Sequence, residues 1–206
     1  MSRPLLITDC DEVLLHMVVP FSEWLDEVHH IHFDLESGNF VDALRHKATG
    51  LPLESEGIWP LLRGFFETEM HRQYPIDGAI AALHRIAEQA DVVVLTNLTD
   101  EERDRRIAQL RAVGIEFPVF TNQGGKGEPL AKIVSDFDAS VAVFVDDLAH
   151  QHISVAEHAP DVFRLHMVGE PRLSPRIKTP PAAHARIDDW PTATLWIMDR
   201  FAGVPL

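Results

Sequence analysis

The chain lacks the features that mark secreted, membrane-bound and nucleic-acid-binding proteins. Cys10 is its single cysteine, so no disulfide can form within the chain and a reducing compartment is expected. No apolar run approaches the roughly 20 residues that span a bilayer, and the first residues lack the pattern of a signal peptide. Lysine and arginine number 18 against 32 aspartate and glutamate, which argues against a general basic surface for nucleic acid or anionic membrane. We therefore expect a cytoplasmic protein with neither of these partners.

What the sequence does contain is an ordinary globular composition. Hydrophobic residues make up 46% of the 206, which suits one domain or one domain with an insertion. Short apolar runs alternate with amphipathic segments, and runs without helical spacing predict strands buried on both faces. The fold class is therefore predicted to be α/β, a Rossmann-like parallel sheet with helices on both faces. The predicted strands cover 5–8, 91–97, 117–121, 141–147 and 162–166, and the predicted helices cover 79–89, 100–113, 127–137, 148–158 and 190–201.

Residues 15–75 interrupt this alternation directly after the first strand. Phe21, Trp24, Leu25 and Val28 recur at helical spacing, and a second helix is predicted from about residue 59 to 72. No convincing strand is visible between residues 14 and 75. The sequence therefore predicts a small α-helical cap over 15–75, inserted into a core domain made of 1–14 and 76–206.

The large apolar side chains and the prolines of the remaining chain give further expectations. Trp59, Trp190 and Trp196 are expected in the core, and Leu195 and Ile197 are expected to be buried in the last helix. Prolines exclude long regular structure from about residue 169 to 185.

Polar residues stand at the carboxyl ends of the predicted strands, where ligands bind to parallel sheets. Asp9 and Asp11 follow the first strand, two residues apart, so an extended backbone would point both carboxylates to the same side. Like charges repel there, and a hard divalent cation such as Mg²⁺ would relieve the repulsion. Two acids could also simply end a strand at a solvated loop. The other residues at strand or helix ends are Thr96, Asn97, Lys126, Asp146 and Asp147.

The combination of these groups fits phosphoryl transfer through an aspartyl phosphate. Asp9 would attack phosphorus as the nucleophile, and Asp11 would act as general acid and then general base. Thr96 would hold phosphoryl oxygens, with Asn97 beside it as a substrate-binding residue, and Lys126 would neutralise their charge. On its own, Lys126 also fits an ordinary surface lysine in a glycine-rich loop. The predicted substrate is a small phosphate ester.

The carboxylates would share a metal ion. Asp147, with Asp146 beside it, would hold Mg²⁺ together with Asp9 and the backbone carbonyl of Asp11. Four carboxylates against one lysine leave the empty site strongly repulsive, so metal is expected to be required. Asp146 and Asp147 could alternatively do no more than cap the helix that follows them.

These motifs resemble the haloacid dehalogenase superfamily of phosphohydrolases, and the resemblance covers nearly the whole chain. It implies that Asp9 is the nucleophile and Asp11 the acid/base, and that 15–75 is the helical cap of that family. An aspartate at the second position implies a phosphatase, because the dehalogenases that named the family are expected to lack it. The matching pieces are Asp9-Cys10-Asp11-Glu12-Val13, Val92-Val93-Val94-Leu95-Thr96-Asn97, Lys126, and Val143-Phe144-Val145-Asp146-Asp147.

Glu12 departs from the family pattern, which usually has glycine there. A residue other than glycine at positive φ costs about 1 kcal/mol, so either the turn differs or the side chain points away. A catalytically weak or inactive binding or regulatory protein with the same fold is therefore an alternative. A signalling module similar to receiver domains is a third hypothesis, although the order of its acidic residues fits poorly. Cys10, between the two aspartates, is expected to pack in the core.

Overall fold

The computed structural model describes residues 2–35 and 43–205. In these two ranges the strands are β1 (Leu5–Thr8), β2 (Leu15–His16), β3 (Ile31–Phe33), β4 (Leu44–His46), β5 (Tyr74–Pro75), β6 (Asp91–Thr96), β7 (Val119–Thr121), β8 (Ala142–Asp146), β9 (Phe163–His166) and β10 (Ala185–Arg186). The α-helices of the same ranges are α1 (Val18–His29), α2 (Ser55–Thr68), α3 (Ala79–Ala87), α4 (Arg103–Ala112), α5 (Gly127–Asp136), α6 (Ala149–His158) and α7 (Trp190–Phe201).

A six-stranded parallel sheet forms the centre of the structure, in the order β10-β9-β8-β1-β6-β7. The first strand, β1, lies between β6 and β8, and all four of its residues are buried. Thr8 pairs with Val94 on one side and with Val145 on the other. The next residue, Asp9, is therefore level with the last residue of β8. This register brings the chain segments that follow β1, β6 and β8 to one edge of the sheet.

Apolar residues pack on both faces of this sheet because successive side chains of a strand point to opposite sides. Leu6 and Val94 belong to a cluster that includes residues of α3 and α7. Leu5 and Ile7 belong to a second cluster, which includes residues of α5 and α6. The predicted α/β class, a parallel sheet with helices on both faces, is confirmed.

Residues 15–75, called the inserted segment below, supply most of a third hydrophobic cluster, to which Leu98 also belongs. Phe21, Trp24 and Leu25 of α1 pack there with Phe65 of α2, as their helical spacing predicts. Val28, the fourth member of the predicted stripe, is 56% exposed. The prediction that no strand occurs here was wrong. β2 pairs with β5 and β3 pairs with β4, both antiparallel. These strands have two or three residues each, too few for an alternating pattern to be recognised.

The predictions of burial for the large apolar side chains of the last helix were only partly correct. Trp190 is fully buried, and its indole Nε1–H donates a hydrogen bond of 2.8 Å to the carbonyl of Val13. Ile197 is buried, Trp196 is partly buried, and Leu195 is 70% exposed, so the prediction for Leu195 was wrong. Consecutive helical residues point about 100° apart, so these three side chains face different directions.

Two further expectations concern the tryptophan in α2 and the proline-rich stretch. Trp59 was predicted in the core but is 63% exposed, because α2 packs through its other face. Between residues 169 and 184 the described backbone forms one 3₁₀ turn, at Ser174–Arg176, as the prolines there predict. Among the described residues no helix is both long and apolar enough to cross a membrane.

Candidate active site

A buried lysine bridges two buried carboxylates at the edge of the sheet where β1 and β8 end. Lys126 Nζ lies 2.7 Å from Asp9 Oδ1 and 2.7 Å from Asp146 Oδ2. Lys126 and Asp146 are each at most 1% exposed, and Asp9 is 5% exposed. Burying three charged groups is costly unless they are paired, and here each carboxylate has the lysine as its partner. The interpretation of Lys126 as an ordinary surface lysine is wrong.

The glycine-rich loop before α5 places Lys126 in this position. The backbone N–H of Lys126 donates to Gln151 Oε1 at 2.7 Å, and the N–H of Gly127 donates to Ser154 Oγ at 3.0 Å. A Cβ atom at Gly127 would lie 2.2 Å from the carbonyl oxygen of Ser154. Only glycine therefore allows α5 to begin this close to α6, which brings the Lys126 side chain to the sheet edge.

Asp147 adds a third carboxylate to the two that Lys126 contacts. One oxygen from each of Asp9, Asp146 and Asp147 can be chosen so that all lie within 4.8 Å of one another. Asp146 Oδ1 accepts from the N–H of Leu148 at 2.8 Å, and its Oδ2 accepts from Lys126, so both oxygens of Asp146 are engaged. In the described part of the chain, the Asp147 carboxylate accepts no hydrogen bond. Asp147 is therefore the better placed of the two neighbouring acids to bind an ion directly.

The electrostatics of this cluster favour an added positive charge. Burial raises the pKa of Asp9 to about 7, with Lys126 opposing the shift and Asp146 and Asp11 adding to it. Burial and the charges of Asp146 and Asp9 raise the pKa of Asp147 well above its usual value. Burial tends to lower the pKa of Lys126, but Asp146 and Asp9 outweigh it and the pKa is raised. The lysine thus stays charged while the carboxylates remain in excess, and an all-oxygen donor set of this kind suits a hard divalent cation.

Two buried histidines donate hydrogen bonds to the backbone carbonyls of Asp146 and Asp147. His152 Nε2 lies 3.0 Å from the Asp146 carbonyl oxygen, and His166 Nε2 lies 2.8 Å from that of Asp147. A nitrogen facing a carbonyl must carry the proton, so both rings have the Nε2–H tautomer. Burial lowers the pKa of His152 to about 4 and also lowers that of His166, which keeps both rings neutral. Sequence reasoning missed both, although His166 ends β9 and His152 lies in the first turn of α6, the helix that follows Asp146 and Asp147.

The Asp11 carboxylate contacts a different set of groups. Arg106 Nη2 lies 3.0 Å from both Asp11 oxygens, and Gln73 Nε2 donates to Asp11 Oδ1 at 2.6 Å. Arg106 is fully buried, although its helix reads as a solvated, arginine-rich surface. Sequence reasoning missed this residue. Its spacing could have indicated that it is buried. Glu102, Arg106 and Leu110 are the buried residues here, and they are four residues apart, which places them on one face of the helix.

Thr96 and Asn97 end β6 on the other side of β1. Thr96 is fully buried, and its hydroxyl oxygen has no hydrogen-bond partner among the described residues. The side chain of Asn97 is exposed, and its Nδ2 donates to the carbonyl of Gly124 at 2.9 Å. Asn97 therefore contacts the loop that carries Lys126, whereas Thr96 has an unused hydroxyl.

Glu12 keeps the turn that glycine would make and uses its side chain locally. Its φ is 59°, in the left-handed region. Oε1 accepts hydrogen bonds from the N–H groups of Met17 at 2.8 Å and Val18 at 2.7 Å, at the beginning of α1. Burial raises the pKa of Glu12 to about 7, although these two hydrogen bonds oppose the shift. The carboxylate thus caps the first helix of the inserted segment, a stabilisation that offsets backbone strain of about 1 kcal/mol. Cys10, two residues earlier, is fully buried, as predicted.

Comparison with known proteins identifies this arrangement of strands. No protein-family model matches the chain, and no curated protein matches its sequence. Solved structures do match. A haloacid dehalogenase-like hydrolase from Streptococcus pneumoniae superimposes with a TM-score of 0.64 at 11% identity, covering 93% of this chain and 97% of the other. The chain has the haloacid dehalogenase fold.

Two further solved structures are similar to the chain over nearly their whole length. YfnB from Bacillus subtilis, assigned as a hydrolase of this group and bound to magnesium, gives a TM-score of 0.65 at 14% identity, covering 96% of this chain and 99% of YfnB. A protein from Clostridium difficile assigned as a phosphatase gives 0.58 at 11% identity, covering 95% and 99%.

Proposed function

We propose that the protein is a Mg²⁺-dependent phosphatase that hydrolyses a small phosphorylated metabolite through an aspartyl-phosphate intermediate. The observation that carries this proposal is the buried Asp9–Lys126–Asp146 bridge with Asp147 beside it. The magnesium-bound neighbour from Bacillus subtilis and the phosphatase neighbour from Clostridium difficile support the same class of reaction.

The residues that would hold Mg²⁺ offer only oxygen atoms. Asp9, Asp147 and the backbone carbonyl of Asp11 would be direct ligands. Asp146 would contribute only its negative charge, because its two oxygens already accept hydrogen bonds from Lys126 and Leu148. When bound, Mg²⁺ would supply positive charge that screens the substrate phosphate from these carboxylates. His152 and His166 would keep the Asp146 and Asp147 backbone fixed during turnover.

The chemistry of the chain's own residues then follows in two steps. In the first, a carboxylate oxygen of Asp9 attacks phosphorus, the bond from phosphorus to the ester oxygen breaks, and Asp11, which enters this step in its protonated form, gives that proton to the departing oxygen. In the second, Asp11 takes a proton from water, whose oxygen attacks the aspartyl phosphate and releases inorganic phosphate and the Asp9 carboxylate. The unused Thr96 hydroxyl donates to a phosphoryl oxygen, and Lys126 balances the charge.

The inserted segment, residues 15–75, would serve as a cap over this edge of the sheet, with 1–14 and 76–206 as the core domain. Its first strand and last strand, β2 and β5, pair directly beyond the loop that carries Asp9 and Asp11. A cap in this position would exclude water and select the leaving group.

We expect the purified protein to release phosphate steadily from p-nitrophenyl phosphate when Mg²⁺ is present and not after its removal by a chelator. The assay follows p-nitrophenol by absorbance and phosphate by a colorimetric method, so that both products are counted. The alternative, a binding or regulatory protein that has lost turnover, predicts no release from this ester or from a broad panel of phosphate esters. That result would overturn the proposed function.

We also expect Mg²⁺ to stabilise the folded protein. At about 100 times its dissociation constant, an ion that binds only the native state adds about 2.7 kcal/mol to the free energy of unfolding, measured by urea denaturation. Asp147→Asn should remove most of this increment, whereas Asp161→Asn, at an exposed carboxylate, should leave it unchanged. An unfolding free energy unaffected by Mg²⁺ in the wild type would contradict the metal site.

A further inference from the structure

Arg106 is a fully buried cation that contacts the Asp11 carboxylate but not the Asp9–Lys126–Asp146 cluster. Its Nη2 lies 3.0 Å from each oxygen of Asp11. Its Nη1 donates to Cys10 Sγ at 3.1 Å and to Gln109 Oε1 at 3.0 Å. A buried guanidinium requires a compensating charge, and in the described part of the chain Asp11 is its ion-pair partner.

The orientation of Asp11 is fixed from two directions. Arg106 approaches from α4, and Gln73, just before β5, donates from Nε2 to Asp11 Oδ1 at 2.6 Å. Arg106 Nη1 also lies 3.3 Å from Gln73 Oε1, so the two donors are linked to each other. Three donor contacts to two oxygens leave the carboxylate little freedom to rotate.

The same contacts connect Asp11 to the inserted segment. The guanidinium carbon of Arg106 lies 5.7 Å from the centre of the Phe66 ring, near the end of α2. Gln109, one helical turn after Arg106, donates to the carbonyl of Met70, and Arg105 donates to the carbonyl of Glu67. A movement of α2 relative to α4 would therefore disturb the donors that hold Asp11.

We propose that Arg106 is the positioning residue for Asp11, with Gln73 as its partner, and that this pair makes the place of the Asp11 carboxylate depend on the position of the inserted segment. The inference rests on the proposed phosphatase function. Arg106 contacts none of Asp9, Lys126, Asp146 and Asp147 in the structure, so its direct contact with the proposed catalytic groups is the one with Asp11.

A carboxyl group that transfers a proton must lie within hydrogen-bond reach of the proton's donor or acceptor. Small displacements of a catalytic group are costly, because the correct geometry is then reached less often. Loss of Arg106 should therefore lower kcat through misplaced Asp11 and should leave substrate binding at Lys126 and Thr96 unaffected. A selective loss of kcat of this kind is not expected if Arg106 has a purely structural role.

The test is a double-mutant cycle in steady-state kinetics with p-nitrophenyl phosphate and Mg²⁺. Asp11→Asn and Arg106→Met are each expected to lower kcat by about 10²-fold or more, with KM nearly unchanged. The double variant should be no slower than Asp11→Asn alone, because Arg106 has no effect once Asp11 cannot transfer a proton. Multiplied effects in the double variant would overturn the inference and leave the proposed function standing.

Three further variants separate positioning from folding. Arg106→Lys keeps a positive charge and should recover part of the lost kcat. Arg200→Met removes another buried arginine, which stacks on Trp196 in α7, and its effect on kcat should be small and independent of Asp11→Asn. If Arg106→Met does not fold, Gln73→Leu enters the same cycle with the same expected non-additivity. A wild-type protein inactive on every ester would overturn the proposed function and the inference together.

Discussion

Asp9→Asn is expected to lower kcat for phosphate-ester hydrolysis by at least about 10⁴-fold, because the amide cannot form the covalent intermediate. The fold should survive, since Lys126 keeps Asp146 as an ion-pair partner at 2.7 Å. Burial raises the pKa of Asp9 to about 7, so its ionised form is costly to bury, and the variant should be at least as stable as the wild type in the absence of metal.

Single-turnover assays measure the rate of ester hydrolysis, and urea denaturation of the same preparation measures the free energy of unfolding. Asp136→Asn, which alters an exposed carboxylate on α5, is the matched control and should retain full activity. If Asp9→Asn retained more than about a tenth of the wild-type kcat, a different nucleophile would have to be sought.

Lys126→Met is expected to destabilise the protein by about 3–5 kcal/mol, because it leaves two buried carboxylates, Asp9 and Asp146, without their shared cation. The measurement is the midpoint and slope of urea unfolding without Mg²⁺. Lys132→Met, in the helix that begins directly after Lys126, is the matched control. The Lys132 side chain is 74% exposed and pairs with Asp136, so its loss should change stability by less than about 0.5 kcal/mol.

A loss of stability for Lys126→Met no larger than that of Lys132→Met would contradict the view that Lys126 neutralises the site. Added Mg²⁺ should restore part of the lost stability, because the ion places positive charge beside the same carboxylates.

The sheet and the acidic cluster could be predicted because both depend on local sequence patterns. Uninterrupted apolar runs such as Val92–Leu95 are typical of buried parallel strands, and polar residues directly after such runs must lie at the ligand edge. Asp9 and Asp146 are neighbours for this reason, since Thr8 pairs with Val145. The resemblance of these motifs to the haloacid dehalogenase superfamily is confirmed at the level of the fold.

The groups that support the site could not be predicted in the same way. Arg106 and Gln73 lie 95 and 62 residues from Asp11 in the sequence. The four-residue spacing of Glu102, Arg106 and Leu110 indicates a buried face of the helix, but nothing local indicates which side chain Arg106 contacts. His152 and His166 are bound to backbone carbonyls, which every residue possesses, so their pairing leaves no pattern of side chains. Long-range polar contacts of this kind follow from tertiary packing rather than from periodicity.

The hydrogen bonds that Glu12 accepts at the beginning of α1 could not be predicted from the sequence either, although they join residues close together in the chain. The side chain reaches Met17 and Val18, five and six residues away, across a turn whose shape depends on a positive φ. Sequence reasoning identified Glu12 as a departure from glycine but left open how the turn would accommodate it. The structure keeps the glycine-like turn and makes the carboxylate part of the helix start.

The hydrogen bond from Trp190 to the Val13 carbonyl joins residues that are 177 positions apart. During synthesis on the ribosome, the loop that carries Asp9 and Asp11 is made long before α7, and this contact can form only after α7 has emerged. A nascent chain that ends before Trp190 would lack a large side chain of the main hydrophobic cluster and would leave the Val13 carbonyl without this donor. The loop that carries Asp9 and Asp11 can consequently reach its packing against Trp190 only when α7 has been made.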